Sequence, residues 1–353
     1  IYSKTTVEYF SLGELQFEAL ISELKKAKQF IFLEFFIIAQ GYMFDTLTEI
    51  LVEKAKSGVE VRFMYDGIGA QINEPIPNKT FKKLSESGIK LKCFNAFTPF
   101  LSTVQNNRDH RKIVVIDGNV AFTGGINIAD EYINLKERFG HWKDTGIMLR
   151  GEAVWNYTVM FLQLWELNET KVSNYEAFIP QYHVTGDYIA DGFVQPYSDT
   201  PMDNENVGEL IYMDIINNAE KYVYITTPYL ILDNEFLTAL QFAAKKGVDV
   251  RIITPHIPDK WYVYMIAWRY YPKLIEAGVK IYEYTPGFIH SKSFVSDDTT
   301  AVIGTINLDY RSFYLHYECA CLLYNNSAVF DIKNDFTETM KISQQITMED
   351  CKK

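Results

Sequence analysis

The stretch NRDHRKIVVIDGNVAFTGGINIAD, residues 107–130, decides how this chain is read. His110 and Lys112 stand two residues apart, so on an extended strand their side chains share one face. Ile113, Val114, Val115 and Ile116 follow as an apolar run suited to a buried strand, and Asp117-Gly118-Asn119 has the residues that turn a chain back. Beyond the turn come Gly124-Gly125 and Asn127. The same grammar returns as His290-Ser291-Lys292, Asp297, Gly304-Thr305 and Asn307. Each matched residue lies 180 positions beyond its counterpart, a register that five residue types do not keep by chance.

Working outward, the flanks repeat as well. Residues 14–28 have apolar positions at helical spacing, residues 29–38 read as a strand buried on both faces, and residues 43–57 as a second helix closed by Gly58. Residues 59–65 form the next expected strand, 81–87 a helix ending at Gly88, and 89–94 a strand. The second half replays this order with helices over 208–219 and 234–246 and strands over 222–225 and 248–253. Gly-Val-Glu-Val-Arg at 58–62 reappears as Gly-Val-Asp-Val-Arg at 247–251. Alternating helix and strand implies an α/β fold of two tandem domains, each a mostly parallel sheet flanked by helices, related by a pseudo-twofold axis. Residues 177–200 have little apolar periodicity and contain Pro180, Gly186, Gly192 and Pro196, which sets the domains at 1–185 and 186–353.

Composition narrows the chemistry. A net charge of −11 over 353 residues disfavours a nonspecific polyanion binder, which needs a basic face to displace counterions, so nucleic acid is not the expected partner. The 24 Tyr, 24 Phe and 5 Trp suit either cores or surfaces that meet a bilayer boundary. Cys93, Cys319, Cys321 and Cys351 lack metal-site spacing and read as reduced core thiols. No apolar run of 18 residues occurs and the chain begins at Ile1, so neither a spanning helix nor a signal peptide is expected in it.

Two histidines, two lysines and two asparagines brought together by a pseudo-twofold pair would surround a small anion with donors, and a phosphodiester fits best. One neutral imidazole can attack phosphorus while the other, protonated, donates to the departing oxygen and then acts as base toward the incoming group. Lys112, Lys292, Asn127 and Asn307 would hold the non-bridging oxygens. This chemistry requires no metal and no cofactor.

Both segments match the H-x-K-x4-D pattern, with the glycine turn and the asparagine, of the phospholipase D superfamily, and the chain most closely resembles bacterial cardiolipin synthases. The words that carry the resemblance are His141-Trp142-Lys143-Asp144-Thr145, Tyr224-Ile225-Thr226-Thr227-Pro228-Tyr229, Ile281-Tyr282-Glu283-Tyr284, Phe288-Ile289-His290-Ser291-Lys292 and Asn307-Leu308-Asp309-Tyr310-Arg311-Ser312. Thr305 stands where serine is usual, with Gly125 at the equivalent place. The resemblance implies a catalytic set of His110, Lys112, Asp117, His290, Lys292 and Asp297, with Asn127, Asn307, Gly125 and Thr305 at the substrate. By residue type alone, Asp117 and Asp297 read instead as turn anchors. It also implies a carboxylate behind each histidine, assigned as Asp144 to His110 and Glu318 to His290. The implied activity is phosphatidyl transfer between two phosphatidylglycerols at a bacterial cell membrane through a phosphohistidine, with His110 as nucleophile and His290 as general acid. Hydrolysis, another acceptor alcohol, nuclease action and an inactive membrane scaffold are the competing readings.

The remaining polar residues have ordinary explanations. His141, His183, His256 and His316 read as structural or solvated, and Glu34 and Asp66 either line the cleft or satisfy buried donors. Arg311 is expected to pair with Asp309 rather than with a phosphate. The aromatic run at 261–271, and Phe94, Phe97 and Phe100, read either as core or as a hydrophobic entrance for acyl chains.

Overall fold

The computed structural model describes residues 1–72, 74–96, 103–167, 169–180 and 190–352. The first half runs β1 (Thr5–Phe10), α1 (Gly13–Leu24), β2 (Phe30–Phe35), α2 (Tyr42–Lys56), β3 (Glu60–Asp66), α3 (Asn78–Glu86) and β4 (Lys90–Phe94). It continues with β5 (Arg108–Asp109), β6 (Ile113–Ile116), β7 (Val120–Gly124), β8 (His141–Lys143), β9 (Gly146–Gly151) and α4 (Val154–Trp165). The second half opens with β10 (Phe193–Asp199), α5 (Val207–Asn218), β11 (Tyr222–Thr226), α6 (Asn234–Lys246), β12 (Asp249–Pro255), α7 (Trp261–Glu276) and β13 (Lys280–Tyr284). Then come β14 (Gly287–Ile289), β15 (Ser293–Ser296), β16 (Thr300–Gly304), α8 (Tyr310–Tyr314), β17 (His316–Tyr324), α9 (Ala328–Lys341) and β18 (Ser343–Ile346).

The two sheets follow one plan: β1-β9-β7-β6-β2-β3-β4 in the first half and β10-β17-β16-β15-β11-β12-β13-β18 in the second. The α/β class holds, but the sheets are mixed rather than mostly parallel. Along these two strand paths, among the described residues, only β2–β3–β4 and β11–β12–β13 pair in parallel. The helical crossovers 42–56 and 78–86 allow those parallel neighbours, whereas the motif strand folds straight back as a hairpin. That turn places Asp117 at φ 52° and Gly118 at φ 64°, and Asp297 and Asp298 at 54° and 61°. Positive φ at both central residues makes a primed turn, closed in the first half by the Asn119 amide donating to the Ile116 carbonyl at 2.9 Å, whose twist suits a tight hairpin.

Asp117 does a second job there. Its Oδ1 accepts from the Gln29 and Phe30 amides at 2.7 and 2.9 Å, and its Oδ2 from Lys28 at 2.8 Å. Asp297 accepts likewise from Glu220, Lys221 and Tyr222. Both aspartates therefore tie the hairpin to the start of the neighbouring central strand, away from the histidines, which corrects their inclusion in the catalytic set.

A shared apolar core joins the sheets: Phe32, Val115, Leu149 and Phe161 pack in one cluster with Val295, Cys319, Cys321 and Ile332. Cys319 and Cys321 are thus core thiols, and burial pushes Cys319 up to about 12. Cys93 is exposed and Cys351 half-buried, so these two do not belong to the core. The division expected at 185/186 falls in residues 181–189, outside the described residues, as do His183, Phe97 and Phe100.

The two short strands preceding the motif histidines leave their own halves. β5 lies parallel to β17, with Arg108 opposite His316 and Asp109 opposite Tyr317. β14 lies parallel to β8, with Gly287 opposite His141 and Ile289 opposite Lys143. The exchange continues one residue further, where the His110 amide donates to the Tyr317 carbonyl at 2.9 Å and the His290 amide to the Lys143 carbonyl at 2.7 Å.

Candidate active site

Because each histidine is hydrogen-bonded to a strand of the opposite half, the carboxylate one residue beyond that contact also comes from the opposite half. His110 Nδ1 lies 2.9 Å from both Glu318 oxygens, and His290 Nδ1 lies 2.6 Å from Asp144 Oδ2. The pairing expected from sequence is therefore exchanged: Glu318 holds His110, and Asp144 holds His290. A carboxylate can only accept, so Nδ1 carries the proton and Nε2 is the nitrogen left for reaction.

Both imidazoles line one cavity of about 340 Å³, together with Asn127, Asn307, Trp142, Tyr229, Arg311 and His316. The lysines sit behind them. Lys112 Nζ donates to the His110 carbonyl at 2.5 Å and Lys292 Nζ to the His290 carbonyl, and both side chains are buried. Burial holds His110 down at about 3, despite Glu318, and His290 at about 4. Burial likewise lowers Lys112 to about 8 and Lys292 to about 7. Glu318 and Asp144 fall below the usual carboxylate range, because their imidazole partners outweigh the burial that would raise them. Each imidazole thus donates from Nδ1 to a carboxylate held in its ionised form, and an entering anion would favour protonation of the bases around it.

The two asparagines are placed differently. Asn127 is fixed by its neighbours, accepting from the Ile37 amide at 2.9 Å and donating one N–H to the Tyr132 hydroxyl at 2.8 Å. Asn307 Oδ1 is buried without a partner. Gly125 and Thr305 serve the carboxylates rather than the cavity, which corrects their expected place at the substrate. A Cβ on Gly125 would stand 2.0 Å from Asp144 Oδ1, so glycine lets that carboxylate approach. Thr305 Oγ1 instead donates to Glu318 Oε2.

Glu34 and Asp66 prove to be buried partners of cations: Arg111 Nε lies 2.5 Å from Glu34, and Arg108 Nη1 lies 3.3 Å from Asp66. Arg311 does not pair with Asp309, whose carboxylate accepts from the Ser312 amide at 2.9 Å, and is exposed at the cavity edge. On α7, only Ala267, Tyr271 and Leu274 are buried. Trp261, Tyr262, Met265 and Ile266 are exposed, so that part of the aromatic run is not core. His141 bonds Tyr284 and His256 bonds Glu283. His316, which reads from sequence as structural or solvated, lies in the cavity wall. Its position two residues before Glu318, matching Trp142 two before Asp144, is the signal that would have found it. Donor atoms of His110, His316 and Glu318 lie within 4.8 Å of one another, a set of zinc-ligand type, although Glu318 is already engaged by His110.

A family model described as "Cardiolipin synthase, PLD-like domain" matches residues 20–165 and 212–340, one match in each half. A cardiolipin synthase of Geobacillus sp. (strain WCH70) is 39% identical over 98% of this chain and 68% of its own length. One of Alkalihalophilus pseudofirmus is 39% identical over 95% of this chain and 66% of its own length. Among solved structures, a phosphatidylserine synthase of Haemophilus influenzae superposes with a TM-score of 0.73 over 97% of this chain and 89% of that one, at 14% identity, which bears on the fold. With both halves matched and relatives of this identity along almost its whole length, the chain belongs to the PLD-like family of cardiolipin synthases and is a phosphatidyltransferase of the phospholipase D type.

Proposed function

We propose that this chain makes cardiolipin, moving the phosphatidyl group of one phosphatidylglycerol onto the glycerol hydroxyl of a second. The observation that carries this reading is two imidazoles in one cavity, each with Nδ1 fixed by a buried carboxylate of the other half. His110 Nε2 attacks phosphorus and forms a P–N bond as the P–O bond to glycerol breaks. His290 gives its proton to the leaving oxygen, and glycerol departs. The second glycerol hydroxyl then passes its proton to His290 and attacks phosphorus, releasing His110 and cardiolipin. Lys112 and Lys292 supply positive charge from behind the histidines as the phosphoryl oxygens become more negative.

The exposed side of α7 fits a substrate held in a bilayer. Trp261, Tyr262, Met265 and Ile266 are 75, 52, 57 and 41% exposed, and they follow directly on Asp259 and Lys260, which line the cavity. Aromatic and apolar residues with a cation alongside suit the interfacial layer of a membrane. Attachment to the bacterial cell membrane through this face belongs to the same proposal; among the described residues no helix is long and apolar enough to cross one.

The test is mass spectrometry of the products from phosphatidylglycerol vesicles with and without a chelator. Cardiolipin and glycerol in equal amounts, insensitive to chelation, are expected. Phosphatidate as the main product would make the enzyme a hydrolase, and loss on chelation restored by one metal would require a metal in the mechanism.

A further inference from the structure

We propose that His316 is a third imidazole of the site, donating a ring N–H to a non-bridging oxygen of the substrate phosphodiester on the side of His110. This rests on the phosphodiester reading of the cavity. His316 begins β17 and lines the cavity, and its ring centroid lies 5.5 Å from that of His110. Its side chain is only 10% exposed. Its Nδ1 is 3.6 Å from Glu318 Oε1, beyond hydrogen-bonding reach, and both ring nitrogens are buried without a partner. A buried ring with two unmet nitrogens destabilises the empty protein unless a ligand meets one of them.

The pseudo-twofold axis sharpens the point. Trp142 holds the matching place beside His290, with ring centroids 5.4 Å apart. An indole there has one donor and no acceptor, whereas an imidazole can donate from either nitrogen and take a positive charge. In-line displacement puts His110 at one apex of the phosphorus and the departing oxygen at the other, so a group beside His110 faces the equatorial oxygens. His316 is such a group, and its donation strengthens as those oxygens gain charge.

The test compares His316→Phe, which keeps a ring and removes the N–H, with His316→Asn, which keeps a donor. Calorimetry with inorganic phosphate measures the binding of the anion, and turnover of a p-nitrophenyl phosphodiester measures the chemistry without a lipid. His316→Phe should weaken phosphate binding and lower kcat/KM by roughly tenfold or more, as expected for a lost hydrogen bond to a charged group. His316→Asn should recover most of both, at a melting temperature like that of His316→Phe. Unchanged phosphate affinity in His316→Phe, or equal losses in both variants, overturns the proposal. Absence of cardiolipin among the lipid products, with these effects intact, would refute the proposed lipid reaction and leave this assignment standing.

Discussion

The strand around His110 rests on charge, and the strand around His290 rests on hydroxyls and apolar rings. Beneath the first motif, Arg111 bridges Glu34 and Asp109 while Arg108 meets Asp66, all buried. At the matching places in the second, Ser291 Oγ donates to Thr226 at 2.9 Å, and Phe288 and Ile289 fill the positions of Arg108 and Asp109. The carboxylates differ too: a glutamate bonded by Thr305 stands behind His110, and an aspartate admitted by Gly125 stands behind His290. Duplication explains the shared geometry. Under the proposed reaction, the unlike surroundings are what would let two identical side chains take different roles.

The largest expected effect breaks that equivalence outright. His110→Ala should abolish turnover of every substrate, because the proposed covalent intermediate could not form. His290→Ala should lose phosphatidylglycerol and keep measurable turnover of a p-nitrophenyl diester, whose leaving oxygen departs unprotonated. A phosphohistidine mapped to His290 by peptide mass spectrometry would exchange the two roles.

The crossed carboxylates extend the same contrast. Glu318→Gln should resemble the loss of His110, lowering both activities by roughly 10²–10⁴-fold, a typical range for acid–base assistance. Asp144→Asn should resemble the loss of His290 and spare the activated diester. The opposite pattern would refute the exchange between halves. One half expressed alone should be inactive, since it lacks the carboxylate for its own histidine as well as the second histidine.

Stability should separate the halves by a smaller margin. Arg111→Met leaves Glu34 and Asp109 buried without their cation, and removing one partner of a buried pair typically costs about 3–5 kcal/mol. Ser291→Ala at the equivalent place removes one neutral hydrogen bond, about 1 kcal/mol. Denaturant midpoints at equal slope measure both. Equal losses would mean that the charged floor is no more critical than its uncharged counterpart.

How much of this was legible depended on the range of the interaction. The duplication, the bounds of α6 and the anchoring role of Asp117 are local, since helix period, glycine punctuation and turn chemistry are written in neighbouring residues. The direction of strand pairing was only half legible. The turn at 117–119 foretold the hairpin, but its antiparallel consequence for the whole sheet was outvoted by the helix–strand alternation around it. The carboxylate partners were not legible at all. The family resemblance singles out Asp144 and Glu318 as candidates, but β5 and β14 crossing to the opposite half is settled by long-range packing. His316 was hidden for a related reason: a lone histidine has no periodicity, and only alignment of the two carboxylate strands places it opposite Trp142.

The smallest effect expected is a fraction of a proton. In the empty site Lys292 lies at about 7 and Lys112 at about 8, both lowered first by burial. At pH 7.5 the first is therefore mostly neutral and the second mostly charged. A bound phosphate adds negative charge and favours the ammonium form of each, so binding takes up protons and never releases them from these groups. Lys292 has the larger share to gain, because less of it is charged beforehand. Calorimetry of inorganic phosphate binding at pH 7.5, in buffers of different ionisation enthalpy, measures the net uptake, and the difference between the wild type and each lysine variant isolates that lysine's share from the protons that phosphate and the histidines exchange. Lys292→Met should remove more of it than Lys112→Met. As pH falls well below 7, both lysines become protonated before the anion binds and their contribution should fade. A larger loss of uptake in Lys112→Met would mean that the two halves do not differ in the direction their burial implies.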